Sequence, residues 1–337
     1  MNSHFPTSEL VEKCQTMNPV LDNVKRTLSS LKEFPKSIRS LYDSSYSCLP
    51  VLGPFKYKNG DTYQGQYKDG LRTGFGKIVY ENGSVYEGYW DNDVCNKYGR
   101  KAFKDGGFYE GEITNGKPHG QGKKLYADGL IYQGSWKDNQ QCGFGMMIWS
   151  DGSQYTGDWL NNKRHGWGYY EIPYGKKYLG DWKNDKCEGW GYSEYPAGNK
   201  FTGQWRNGVR TGLGISQNNN GALLTGEWLR GKGNGWIFIK NSDGGVFIGN
   251  CKNGRKHSLG LTEHPNGFKY IGDWKDNEPD SWGSFEKPNF FKYTGEWRKG
   301  KLEGYGYCEY PNGDQYKGFF ENGKRHGFGT YIKSVDL

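Results

Sequence analysis

Apolar and polar residues alternate along most of the chain in short runs, and the alternation restarts at a fixed interval. Tyr, Gly and Trp at spacing two share one face of an extended run, and polar residues such as Glu110 and Glu112 take the other. That period-two pattern predicts half-buried strands. Stepping from Tyr63 by 23 residues reaches Tyr86, Tyr109, Tyr132, Tyr155, Tyr178, Phe201, Leu224, Phe247, Tyr270, Tyr293 and Tyr316, with no insertion. Gly stands two residues after each. Four residues after stand Trp90, Trp136, Trp159, Trp182, Trp205, Trp228, Trp274 and Trp297, with Tyr67 and Phe320 as aromatic substitutes and Ile113 and Cys251 as exceptions. Paired glycines follow at eleven and thirteen residues, as in Gly166 and Gly168. Each unit also carries two turn signals, such as Asp69-Gly70 and Asn82-Gly83, whose residues accept the positive φ of tight hairpins. The spacing therefore predicts twelve consecutive antiparallel hairpins over 57–337, with second strands such as Phe75 to Tyr80. A lone strand over Phe55 to Gly60 is expected to start the sheet.

The first residues follow a different period. Asn18-Pro19 is a helix-start signal, and Leu21, Val24, Leu28 and Leu31 then make an apolar stripe at helical spacing up to Pro35. A weaker helix is expected over Ser8 to Gln15, and a short turn over Ser37 to Tyr42. The predicted organisation is a mainly helical or irregular segment, 1–54, followed by an all-β repeat domain, 55–337. Two readings of the apolar stripe stay open: it docks on the chain's own sheet, or it reaches a partner.

About 24 strands at ~4.8 Å each would make a single-layer sheet ~115 Å long, and accumulated strand twist should coil it into an elongated grooved ribbon. Composition explains how one layer could hold together. Of 337 residues, 54 are Gly, and 17% are aromatic against 34% hydrophobic in all. Flat aromatic rings must lie across neighbouring strands, with Gly removing the Cβ atoms in their way. Such a chain has too few aliphatic residues for a conventional two-domain enzyme core and too many Tyr and Trp for simple disorder.

Charge narrows the partners. Net charge is +8, from 45 basic and 37 acidic residues, with no block of like charge, so neither a nucleic-acid arm nor a polybasic membrane tether is evident. The seven cysteines include no CxxC pair, which argues against a structural zinc site and a disulfide framework and favours reduced thiols. No apolar run is long enough to cross a membrane, and Glu9 and Glu12 break any signal-peptide core. Two motifs look like chemistry and fail. Gly111 to Pro118 has the spacing of a phosphate-binding loop, but it sits at a hairpin turn with no helix after it. His119, His165, His257 and His326 share one repeat phase, which spreads them along the sheet rather than around a metal. The expectation is therefore no catalytic residue, no metal and no cofactor.

The segments YEGEITNGKPHGQG (109–122), YTGDWLNNKRHGWG (155–168) and YTGEWRKGKLEGYG (293–306) resemble MORN repeats, a likeness that covers about five-sixths of the chain. The resemblance implies a non-catalytic scaffold whose aromatic groove holds helical or peptide segments of other proteins in a multi-subunit cytoskeletal assembly. Similarity to radial-spoke-type members implies a cytoplasmic, ciliary axonemal setting. The groove residues expected to meet partners are Tyr86, Trp90, Tyr109, Tyr132, Trp136, Tyr155, Trp159, Tyr178, Trp182, Trp205, Trp228, Tyr270, Trp274, Tyr293 and Trp297. The alternative is a peripheral membrane or phosphoinositide-binding adaptor, weakened by a net charge of only +6 over 57–337, from 38 basic and 32 acidic residues. End-to-end self-association through terminal strands is also open. Residues 235–290 depart from the pattern at Ile237, Cys251, Ser258, Ser281 and Phe290, read either as tolerated drift or as a local docking point.

Overall fold

The computed structural model describes residues 44–334. The expected helices over Ser8 to Gln15 and along Leu21, Val24, Leu28 and Leu31, and the turn over Ser37 to Tyr42, lie outside the described residues. Within them the chain is all-β apart from a 3-10 turn at Ser44–Tyr46. Twenty-five consecutive strands, from β1 (Val51–Lys56), β2 (Thr62–Lys68) and β3 (Leu71–Val79) to β25 (Lys324–Ile332), form a single open antiparallel sheet. The chain divides into two compact units, described separately below: one up to Gly189 and one from Trp190 onward.

Most repeats contribute a seven-residue and a nine-residue strand, as in β2 and β3. Their connection is a two-residue turn, Asp69-Gly70, with φ of 51° and 81°. Positive φ at both central residues is the turn whose twist matches a β-ribbon, and Asn115-Gly116 and Asn207-Gly208 repeat it. The expected start of the sheet shifts. The first strand is Val51–Lys56, pairing Phe55 with Tyr63, because Tyr57 to Gly60 close a turn through the Gly60 N–H to the Tyr57 carbonyl, 3.0 Å. The second strands also begin earlier than expected and run through the paired glycines rather than after them. The first glycine of each pair takes a left-handed conformation, as at Gly166 (φ 58°). The ladder there slips from Gly157↔Gly168 to Trp159↔Arg164. This is a β-bulge, which the sequence pattern alone reads as a strand boundary.

The second glycine of each pair has a different task. In β11 (Lys163–Glu171), a Cβ at Gly168 would meet Tyr155 Cζ at 2.5 Å. The leading aromatic of each unit therefore lies flat on bare backbone. The eighth hairpin shows the rule by breaking it. There Leu224 replaces the ring and Ile237 the glycine, and Ile237 is fully buried, its Cδ1 2.6 Å from where a Gly233 Cβ would stand. The isoleucine fills the volume that the ring fills elsewhere. Ser258 and Ser281 hold the positive φ of the glycines they replace, 55° and 67°, and their strands keep the common register, Ser258↔Trp274 and Ser281↔Trp297. The array thus keeps its backbone course at Ser258 and Ser281.

Candidate functional site

The sheet has two faces, and both carry rows of large side chains. On the first face lie the fifteen residues expected to line a groove. All of them, Tyr86, Trp90, Tyr109, Tyr132, Trp136, Tyr155, Trp159, Tyr178, Trp182, Trp205, Trp228, Tyr270, Trp274, Tyr293 and Trp297, are at most 9% exposed. The groove expectation is corrected by what covers them, which is one another. Tyr132 meets Trp136 at 5.0 Å and Trp159 at 5.3 Å, both edge to face, and Tyr155 meets Trp159 and Trp182 in the same way. In the second unit Tyr270 sits likewise between Trp274 and Trp297, and Tyr293 between Trp297 and Phe320.

The polar ends of these rings are also taken. Trp136 Nε1 donates to the Gly122 carbonyl at 3.1 Å, and Trp159, Trp182, Trp228, Trp274 and Trp297 each donate to the glycine carbonyl fourteen residues before. The Tyr132, Tyr155, Tyr178, Tyr270 and Tyr293 hydroxyls donate to the backbone carbonyl three residues on, at about 3 Å. Burial pushes these phenols well above their ordinary range, Tyr86 and Tyr178 among the most. Basic side chains close the row from outside: Arg72 stacks on Trp90 at 4.3 Å, Arg164 on Trp182 at 4.5 Å and Lys256 on Trp274 at 4.4 Å. Both arginines are anchored to the next hairpin, Arg72 Nε to Asp93 at 2.7 Å and Arg164 Nε to Asp185 at 3.1 Å. This face is the hydrophobic core of a one-layer fold, already satisfied by its own groups.

The second face carries a row of its own. Its members stand twelve residues after the leading position of each repeat: Phe75, Tyr98, Phe144 and Trp167 in the first unit, where Gln121 interrupts the row, and Trp190, Leu213, Trp236, Leu259, Trp282, Tyr305 and Phe328 in the second. They share one phase of the 23-residue period, which is the signal that marks them in the sequence. Exposure is 44% at Trp236, 52% at Leu259, 52% at Trp282 and 40% at Tyr305. An acidic residue stands opposite several of them, as in Leu213↔Glu227, Leu259↔Asp273 and Trp282↔Glu296, whereas Trp236 faces Asn250 and Tyr305 faces Phe319. These acids have a structural duty at the bulge. Glu296 Oε1 accepts the Tyr305 N–H at 3.0 Å, and Asp158 Oδ2 accepts the Trp167 N–H at 3.0 Å. At Trp167 and Tyr305 the bulge thus sets an aromatic and a carboxylate side by side.

Other candidate chemistry is missing among the described residues: no group of three or more His, Cys, Asp or Glu could hold a metal ion. His119 lies 3.9 Å from Asp138, and His326 3.4 Å from Glu321, as isolated pairs. Gly111 to Pro118 runs from one strand through the Asn115-Gly116 turn into the next, without a helix.

A model of one family, the MORN repeat, matches 63–85, 109–131, 132–154, 155–173, 178–200, 201–222, 270–289, 293–315 and 316–334. The three hairpins it passes over are the second, eighth and ninth, where Lys97, Ile237 and Ser258 stand in place of glycines. No curated protein matches the chain. Among solved structures, the chain is similar to the TCP10 domain of Danio rerio CPAP in complex with a peptide of Danio rerio STIL, at 12% identity. That match covers 80% of this chain and 97% of that one, with a TM-score of 0.21. The SAS-4 (dCPAP) TCP domain of Drosophila melanogaster, in complex with a proline-rich motif of Ana2, matches at 13% identity over 53% of this chain and 85% of that one, with a TM-score of 0.24. Likeness at this level carries no functional argument.

Proposed function

As the chain belongs to the MORN-repeat family, we propose that it is a non-catalytic scaffold that holds segments of other proteins against the second face of its sheet. The exposed row of Trp236, Leu259, Trp282 and Tyr305 is the observation that supports this reading. Side chains of that size, repeated hairpin by hairpin in open solvent, are anchors for a partner. Their neighbours Glu227, Asp273 and Glu296 set the chemistry of that partner: an amphipathic segment with apolar anchors flanked by Lys or Arg. The same carboxylates repel an anionic lipid surface, which disfavours the membrane-adaptor alternative. The first-face rings act in this reading as the frame that holds the row in register. The cytoskeletal, ciliary setting enters the proposal through the repeat resemblance alone.

A photo-cross-linking amino acid at position 282 of the full chain, in cells that express it, tests the reading. Discrete protein adducts are expected at 282, lost when Leu259→Glu and Trp236→Glu are added. Adducts that survive those substitutions, or lipid adducts in their place, overturn it.

A further inference from the structure

The second face also carries a middle row that changes character along the sheet. In its first strands the row is Lys77, Glu87, Arg100, Glu110 and Lys123, opposite charges facing one another across consecutive strands. A face of that kind is stable in water. The row then turns to Gln133, Met146, Thr156, Tyr169 and Leu179, which are again cross-strand neighbours. Here the burial is far more complete than at the same phases of this face in the second unit. Leu179 is 0% exposed, Thr156 2%, Tyr169 8% and Gln133 8%. Ile271 holds the phase of Leu179 in the second unit and is 50% exposed. Thr225 holds the phase of Thr156, between the equally bulky Ile215 and Phe238, and stays half-buried. The same register with different exposure, and for Thr156 and Thr225 similarly bulky neighbours, means that something lies over the first set.

The start of the described chain indicates the source of the cover. Gln66 and Tyr89 belong to this second face, and Tyr46 rests on them. The Gln66 side-chain amide donates to the Tyr46 carbonyl at 2.7 Å, and the Tyr46 and Tyr89 rings are 6.0 Å apart. The described chain therefore begins on this same face, with 43 residues of sequence before Ser44. From β4 (Val85–Asp91) to β12 (Lys177–Lys183) is eight strand spacings, about 38 Å. Residues 35–43 extended reach about 30 Å, and a helix over 19–34 adds about 24 Å, so the segment can span the gap. Its stripe from Leu21 to Leu31 is about 15 Å long, against about 19 Å of buried row from Gln133 to Leu179.

We propose that the N-terminal segment lies across the second face of the first unit, with Leu21, Val24, Leu28 and Leu31 seated on Met146, Thr156, Tyr169 and Leu179. It gives this stretch a second layer that the charged strands before it do not need. The buried Thr156 hydroxyl has no hydrogen-bond partner among the described groups, in keeping with an apolar cover. The partner row proposed above, in the second unit, is a separate surface.

The test uses the full chain with a cysteine reporter, Leu179→Cys, and an open control, Ile271→Cys, each followed by maleimide labelling and peptide mass mapping. The Leu179→Cys thiol should react at least about tenfold more slowly than the control, since protection reports local opening. Val24→Asp with Leu28→Asp should remove that difference while the control rate and the β circular dichroism stay unchanged. Met146→Cys serves as a second reporter if the first perturbs the sheet. Equal rates in the unaltered segment overturn the proposal, as does protection that survives the aspartates. Protection that scales with protein concentration overturns it in favour of a second copy. None of these readouts depends on partner capture, so the scaffold reading fails or stands separately.

Discussion

The exchange of ring and glycine for Leu224 and Ile237 allows a quantitative test of how the core is built. Leu224→Tyr alone would drive a phenol into the volume of a fully buried isoleucine, an overpacking that costs about 1–3 kcal/mol. Ile237→Gly alone would empty that volume without supplying a ring, at about 3–5 kcal/mol. The double substitution restores the arrangement of the other hairpins, with a tyrosine lying on Gly226 and a new glycine at 237, and should fall within about 1 kcal/mol of the starting protein. The two changes are thus expected to couple by at least about 3 kcal/mol. Because an array opens locally, hydrogen exchange of peptides spanning 223–240 is a better readout than a global melt. Single-variant costs that add in the double to within about 0.5 kcal/mol would refute the idea that ring and glycine are one packing unit.

Two further outcomes follow from the same architecture. Asp158→Ala strands the Trp167 N–H at the bulge and should cost about 1–2 kcal/mol, whereas Asp158→Asn keeps an acceptor and most of the stability; thermal melts in which the two are equally damaging would exclude the bulge role. Stability should be flat from neutral pH to about pH 9 and then fall. Buried phenols such as Tyr132 and Tyr155 are raised above their unfolded values by burial first, and burial pushes the Cys95 thiol up to about 11. The folded chain keeps those protons while the unfolded chain releases them, so this contribution is complete below the unfolded values and is lost as pH rises past about 10. Tyrosinate absorbance should appear together with loss of β circular dichroism; absorbance that rises near pH 10 with the sheet intact would count against the burial argument.

Much of this architecture was legible because the 23-residue period fixes phase, and phase fixes face. Strand direction, hairpin turns and the pairing of Gly with aromatic residues all follow from it. Two points were not legible. Spacing showed that Tyr132 and Trp136 share a face but not that each ring would be consumed by the next, since edge-to-face contact across strands depends on register. The bulge was hidden for a related reason. Gly166 signals a bend, and only the slipped ladder shows that the strand continues and turns Trp167 outward beside Asp158. Trp236, Leu259, Trp282 and Tyr305 hold the same phase as Trp167, so the bulge turns them to that face as well.

Pairing every strand with its sequence neighbour bears on the speed of folding. Hairpin partners such as Gln154 and Glu171, the Trp159 bond to Gly145 and the Arg164 clasp on Asp185 all join residues less than one repeat apart. Over 337 residues, separations of roughly 15 give a relative contact order of about 0.05, below the range of helical bundles and far below that of sandwiches and barrels. Loop closure is then a small and constant barrier, met afresh at each hairpin. An all-β chain built in this way can acquire its structure while it is being synthesised, each hairpin closing on the last as it emerges.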